Sequence, residues 1–310
     1  MNQIICVVGP TASGKTSLAV ALAREYNGEV VSCDSMQLYR RMDIGTAKPT
    51  AEEMQGIPHH MIDVIDPDED FSVGKYVEMA TPIVDEILRR GKTVIVTGGT
   101  GLYAEALMKG QDFAPCPATG CRERLEQRLL AEGLEPLRRE LEAIDPEAAQ
   151  RSQGNPRRIL RALEVFQETG ETITAHDLRT QSLPPRYRPL WIGLDFASRQ
   201  ELYDRIDLRV ERMVEQGLLE EIRDILGSGI PEKATAMQAI GYKEFIDAMA
   251  GRSTVEQAIA QVQQSSRRYA KRQLTWFRRN RAMHWLVRRP GASGEEVFEA
   301  ARQLVRDFDN

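Results

Sequence analysis

Gly9-Pro10-Thr11-Ala12-Ser13-Gly14-Lys15-Thr16 decides the fold. The eight residues match G-x-x-x-x-G-K-[ST] at every defined position, the pattern of a phosphate-binding loop. The flanks agree with it. Ile4 to Gly9 is a short apolar run rich in β-branched residues, and Ser17 to Tyr26 has helical spacing. In a strand–loop–helix of this kind the glycines let successive backbone N–H groups turn around an anion. The following helix adds its positive N-terminus. Lys15 would reach the terminal phosphate oxygens, and the Thr16 hydroxyl would ligate Mg²⁺, the one cofactor expected. The motif specifies a phosphate chain. It specifies neither ATP nor the movement of a phosphoryl group.

Outward from the loop, strand and helix alternate. Glu29 to Ser32 and Ile62 to Ile65 read as strands, Tyr76 to Arg90 as an amphipathic helix, and Thr93 to Thr97 as a buried strand. Strands separated by helices imply a parallel sheet wound on both faces, so the expected class is α/β with a P-loop NTPase-like core. The alternation breaks at Phe113-Ala114-Pro115-Cys116-Pro117. Residues 118 to about 183 show helical periodicity only, with helices expected at Gly120–Ala131, Glu135–Ala143 and Pro156–Thr169. The proline-rich stretch Leu183-Pro184-Pro185-Arg186-Tyr187-Arg188-Pro189 closes this region, because prolines stop helices and stiffen linkers. Leu190 to Asp195 then reads as a strand, followed by helices from Arg199 to Leu226. The expected organisation is a core of residues 1–114 and 190–310, interrupted by a helical insertion at 115–189 that can swing as a unit. A chain of 310 residues has room for both.

With 42% hydrophobic and 28% charged residues, the chain is globular. No run of eighteen apolar residues occurs and the first residues lack a signal-peptide pattern, so a cytoplasmic protein with no membrane partner is expected. Cys6, Cys33, Cys116 and Cys121 form no Cys-x-x-Cys pair and read as reduced thiols. His59 and His60 are neighbours on an extended segment and face opposite ways, which suits structural roles better than a shared metal.

The net charge of -5 argues against nucleic acid until its distribution is seen. Ser265 to Pro290 holds nine Lys or Arg residues and no acid, which leaves -14 on the rest of the chain. Tyr269, Trp276, Phe277 and Trp285 are interleaved with these cations. Basic groups neutralise phosphates, and aromatic and guanidinium planes stack on unpaired bases. Arg151, Arg157, Arg158 and Arg161 form a second acid-free cluster in the insertion.

Two further segments fall at strand ends, where open parallel sheets bind ligands. Asp34, in Ser32-Cys33-Asp34-Ser35-Met36-Gln37-Leu38-Tyr39, can act as a general base or as an outer partner of the metal. Gln37 and Tyr39 offer an amide and a ring for holding a planar base. Gly98-Gly99-Thr100-Gly101-Leu102-Tyr103 allows close approach and supplies the Thr100 hydroxyl.

Together these segments resemble the tRNA dimethylallyltransferase (tRNA isopentenyltransferase) family. The resemblance rests on Gly9 to Thr16, Asp34 to Tyr39, Gly45-Thr-Ala-Lys-Pro49 and Ile57-Pro-His-His60. It continues with Gly98 to Tyr103, Arg158-Ile-Leu-Arg-Ala-Leu-Glu164, Gln238-Ala-Ile-Gly-Tyr242 and Lys271-Arg-Gln-Leu-Thr-Trp-Phe-Arg278. The segments run in order over nearly the whole chain. Leu38 and Gly154-Asn155-Pro156 depart from the family pattern. The resemblance implies that dimethylallyl diphosphate gives its five-carbon group to N6 of the adenosine 3′ of the anticodon, in tRNAs reading codons that begin with U. Lys15, Asp34 and Thr100 would be catalytic, with Asp34 taking the proton and Thr100 positioning the diphosphate. The tRNA anticodon stem-loop would meet Asp34, Ser35, Met36, Gln37, Thr100, Arg122, Arg158, Ile159, Leu160, Arg161, Ala162, Lys271, Arg272, Gln273, Trp276 and Arg278. A monomer is expected. Two rivals explain less. A P-loop kinase of a small metabolite leaves the basic aromatic segment without a task. An ATP-regulated RNA-binding protein gives no work to Asp34.

Overall fold

The computed structural model describes residues 4–114, 119–182 and 184–309, so Pro115, Cys116, Pro117 and Leu183 lie outside it. The chain divides into two units, one of residues 1–108 and 187–310 and the other of 109–186.

The first unit is built on six parallel strands: β1 (Ile4–Val8), β2 (Gly28–Ser32), β3 (His59–His60), β4 (Thr93–Gly98), β5 (Leu190–Phe196) and β6 (Met283–Arg288). Their order is β3-β2-β4-β1-β5-β6. Alternation along each strand sorts the apolar residues between two cores. Ile4, Cys6 and Val8 of β1 join Val94 and Val96 of β4 on one face. Ile5 and Val7 join Ile95 and Ile192 on the other. Helices cover both faces, so a strand of unbroken apolar residues is the expected solution. Because every strand runs the same way, the loops after β1, β2, β4 and β5 emerge at one sheet edge.

Two expectations are corrected. No strand forms over Ile62–Ile65. Met61 (φ 59°) and Asp63 (φ 56°) take left-handed conformations that break an extended run, and only Ile65 bridges, to Tyr39. The basic segment, for which a C-terminal helix is expected, is not one helix. The helix Val255–Phe277 holds the first four of its cations, and the chain then turns into β6 at the sheet edge. As expected, helices run from Arg199 to Leu226; they form as Arg199–Glu215 and Leu218–Gly227, parted by Gly217 at φ 100°. His60 pairs with Glu29 (2.8 Å), while the His59 ring contacts the Ile57 carbonyl (2.8 Å). The two histidines therefore have separate structural partners. Cys6, Cys33 and Cys121 are buried free thiols.

The second unit packs the helices Cys121–Glu132, Leu134–Ile144, Pro146–Ser152, Pro156–Thr169 and Ile173–Gln181. Their apolar stripes meet through Leu125, Leu137, Leu141, Ile159, Leu160 and Leu163. Asp145 caps the third helix through the Ala148 N–H (3.0 Å) and also accepts from the Thr174 hydroxyl (2.7 Å).

Candidate active site

The phosphate loop follows β1 and opens the helix Lys15–Glu25. Gly14 sits at its N-cap with φ 89°, a conformation that L side chains rarely adopt. Lys15 Nζ donates to the Pro10 carbonyl at 2.7 Å. Burial, reinforced by the nearby Arg209 guanidinium, pushes the Lys15 ammonium down to about 8.

Asp34 stands just past β2. Its Oδ1 accepts the Met36 N–H (2.9 Å), which fixes the carboxylate in a local turn. Thr100, past β4, reaches the same segment. Its Oγ1 accepts the Ser35 N–H (3.1 Å) and bonds the Ser35 hydroxyl (3.2 Å). The Gly98–Gly101 segment owes its small residues to close packing. A Cβ on Gly99 would strike the Gln273 amide, and one on Gly101 would strike the Trp276 ring.

Gln273 is 4% exposed. Its Oε1 accepts the Thr11 N–H of the phosphate loop (2.9 Å), and its Nε2 donates to the Gly99 carbonyl (3.0 Å). It thereby pins the helix Val255–Phe277 across two of the site loops.

Lys15, Thr16, Asp34, Ser35, Met36 and Gln37 line one cavity of about 450 Å³. Arg209, Tyr269 and Arg272 line it as well, and Ile206, Val210, Met213, Ile240 and Val262 supply apolar walls. The cavity thus joins an anion-binding end, a carboxylate and a hydrocarbon-lined surface. Thr11 lines it too, whereas Ser13 and Gly14 line a separate cavity of about 560 Å³, and Gly9, Pro10 and Ala12 complete the loop backbone.

Other predicted residues are placed less simply. The Gln37 amide is consumed internally: it accepts from Ser32 Oγ (3.1 Å) and donates to the Ala47 carbonyl (3.2 Å). Tyr39, 1% exposed, is a core residue, so its ring is not offered to a base. Ile159, Leu160 and Ala162 turn into the core of the second unit, which leaves Arg158 exposed and Arg161 half-buried. Arg161 pairs with Glu164 (2.8 Å) and Arg122 with Glu126 (2.9 Å). In the basic segment Arg267 pairs with Asp207 (2.6 Å) and Arg278 with Asp195 (2.9 Å). Trp276 donates its indole N–H to Glu105 (3.0 Å) under the Arg279 guanidinium. Lys271 and Arg272 are exposed, and neither forms an ion pair among the described residues.

Two arginines escaped the sequence reading. Arg209 donates to the Thr11 hydroxyl (3.4 Å), and Arg205 donates to the Ala12 carbonyl (3.0 Å). They lie one turn apart on the helix Arg199–Glu215. The Arg-x-x-x-Arg spacing after a strand that ends at the loop edge was the available signal.

The model of the IPP transferase family matches residues 37–280. A tRNA dimethylallyltransferase of Thermoanaerobacter sp. is 46% identical over 91% of each chain. One of Acetivibrio thermocellus is 41% identical over 99% of each. Among solved structures, the tRNA isopentenylpyrophosphate transferase of Bacillus halodurans is 41% identical with a TM-score of 0.74, covering all of this chain and 97% of that one. A eukaryotic dimethylallyltransferase acting on tRNA is 28% identical with a TM-score of 0.81, over 93% of this chain and 74% of that one. Matched along more than half its length by the family model and along nearly all of it by these relatives, the chain belongs to the IPP transferase family.

Proposed function

We propose that this protein transfers the dimethylallyl group of dimethylallyl diphosphate to N6 of the adenosine immediately 3′ of the anticodon, in tRNAs that read codons beginning with U, and releases diphosphate. One observation carries the reading: the phosphate loop, the Asp34 carboxylate and an apolar wall share a single cavity. A ligand with a doubly phosphorylated head and a short branched hydrocarbon tail suits both ends of it.

The chemistry follows from the groups present. The allylic C–O bond breaks and its electron pair leaves with the diphosphate. The adenine amino nitrogen forms the new bond to carbon. That nitrogen is a weak nucleophile because its lone pair is delocalised into the ring, so removal of its proton by Asp34 assists the step. Charge building on the leaving diphosphate is met by Lys15, Arg209 and the loop N–H groups. The Thr100 hydroxyl orients the Ser35 end of the site.

Among the described residues no three His, Cys, Asp or Glu side chains gather at a metal site. The Thr16 hydroxyl makes no hydrogen bond to a described residue and shares the cavity with Asp34. These are hard oxygen donors, and Mg²⁺ commonly takes one or two protein oxygens with phosphate and water completing the shell. Thr16 would hold it, with Asp34 nearby, and bound there it would neutralise diphosphate charge.

A stacked base cannot enter such a cavity, so the target adenosine must leave its stack at a cost of roughly a few kcal/mol. Arg122, Arg158 and Arg161 in one unit, and Lys271, Arg272, Trp276 and Arg278 in the other, are the proposed tRNA contacts. No helix among the described residues is long and apolar enough to cross a membrane. The test offers tRNA with dimethylallyl diphosphate in one reaction and ATP with or without tRNA in another. Prenylated tRNA supports the proposal. ATP turnover without prenylation would favour a kinase instead.

A further inference from the structure

Two sequence segments remain without a task, Gly45–Pro49 and Gln238–Tyr242. The fold brings them together. Gly45, Thr46 and Ala47 line the cavity beside residues 238–241. Gly45 lies so close to Tyr242 that a Cβ would run into the ring. At the junction stands Glu221, on the helix Leu218–Gly227. Its carboxylate accepts the N–H groups of Asp43 (2.8 Å), Ile44 (2.7 Å) and Gly45 (3.1 Å). It also accepts the Tyr242 hydroxyl at 2.6 Å. Tyr242 is fully buried, and burial followed by the Glu221 charge drives its phenol well above the ordinary range, so it stays a donor.

Three consecutive N–H groups converging on one carboxylate make a backbone anion site filled by the protein itself. The same loop returns to the reactive segment, because the Thr46 and Ala47 carbonyls accept the Gln37 amide, three residues from Asp34. We propose that Glu221 is a positioning residue for prenyl transfer. Through loop 43–47 and Gln37 it holds the cavity wall, and with it the Asp34–Gln37 segment, in the arrangement the reaction needs. The inference rests on the prenyl-transfer reading above.

An amide at position 221 offers one acceptor oxygen and turns an NH₂ toward backbone donors. Glu221→Gln should therefore loosen the loop without touching the phosphate cradle. The expected result is a single-turnover transfer rate lowered roughly tenfold to a hundredfold, with the affinity for inorganic diphosphate within about twofold of the parent. Hydrogen exchange at the Asp43–Gly45 amides of the ligand-free protein should speed up. Tyr242→Phe keeps the ring against Gly45 and should act in the same direction, less strongly. Combined with Gln37→Ala, Glu221→Gln should cost no more than the worse single change, because both act through one loop. An unchanged rate, losses that multiply, or diphosphate affinity falling in step with rate would each overturn the proposal. If Glu221→Gln does not fold, Tyr242→Phe carries the same rate and exchange tests. A parent protein without prenyl transfer would instead refute the functional reading, and the exchange measurement would still decide whether Glu221 holds the loop.

Discussion

Lys15 titrates where assays can reach it, and that makes the anion cradle testable through pH. Burial and the neighbouring Arg209 lower its ammonium from the ordinary lysine range to about 8. A group with that value is about nine-tenths charged at pH 7, half charged at pH 8 and one-tenth charged at pH 9. An unperturbed lysine would stay almost fully charged throughout. If only charged Lys15 holds diphosphate, affinity drops about tenfold from pH 7 to pH 9. Diphosphate itself gains negative charge over this range, which works in the opposite sense. The measurement is therefore the ratio of affinities for the parent and Lys15→Arg, by titration calorimetry at pH 7, 8 and 9. The guanidinium does not titrate here, so the ratio cancels the ligand's own ionisation. A ratio falling about tenfold is expected; a flat ratio would refute the placement of Lys15 in a buried cationic pair. The sign for stability follows from the same shift. The folded protein binds Lys15's proton more weakly than the unfolded chain does. The resulting cost is full below about pH 8 and fades as pH rises toward the ordinary lysine value.

Three other outcomes are expected. Asp34→Asn should lower single-turnover prenyl transfer by about 10²–10⁴ while leaving diphosphate affinity nearly intact, and an unchanged rate would remove Asp34 as the base. Gln273→Ala should lower both the melting temperature and diphosphate affinity, since it strips partners from the Thr11 N–H and the Gly99 carbonyl at about 1–3 kcal/mol for each buried group. Unchanged melting would mean that water replaces the bridge. Lys271→Ala should weaken tRNA binding and flatten its salt dependence more than Arg278→Ala, because Arg278 already spends part of its charge on Asp195. Equal salt slopes for both variants and the parent would assign these cations to the fold.

The parts of the molecule that could be read in advance are those whose signal is local. The phosphate loop carries its own geometry in Gly9, Gly14, Lys15 and Thr16, and the apolar runs at β1 and β4 need no partner to be recognised. What escaped depends on distant partners. β6 lies hidden in a charge run, because its short apolar stretch Trp285-Leu286-Val287 sits between Arg281 and Arg288 and, at the sheet edge, none of its residues is fully buried. The helix Gly294–Asp309 was not anticipated. Arg209 enters the site from a helix nearly two hundred residues after the loop it touches, and only its one-turn spacing from Arg205 marks it. Gln37 and Gln273 illustrate the opposite limit. Their place in the sequence pointed to the site, but only the fold shows that both amides serve as internal struts. The glycines after β4 were legible as points of close approach, though what approaches them is the helix carrying Gln273 and Trp276.

In the proposed transfer to tRNA, carbon moves and phosphorus does not. This is tested most directly by a single-turnover reaction with tRNA and two preparations of dimethylallyl diphosphate, one labelled in its hydrocarbon and one in its diphosphate. Hydrocarbon label is expected on adenosine N6 beside the anticodon, and all phosphorus label in free diphosphate. Phosphorus label on the RNA, or no hydrocarbon label there, would contradict it.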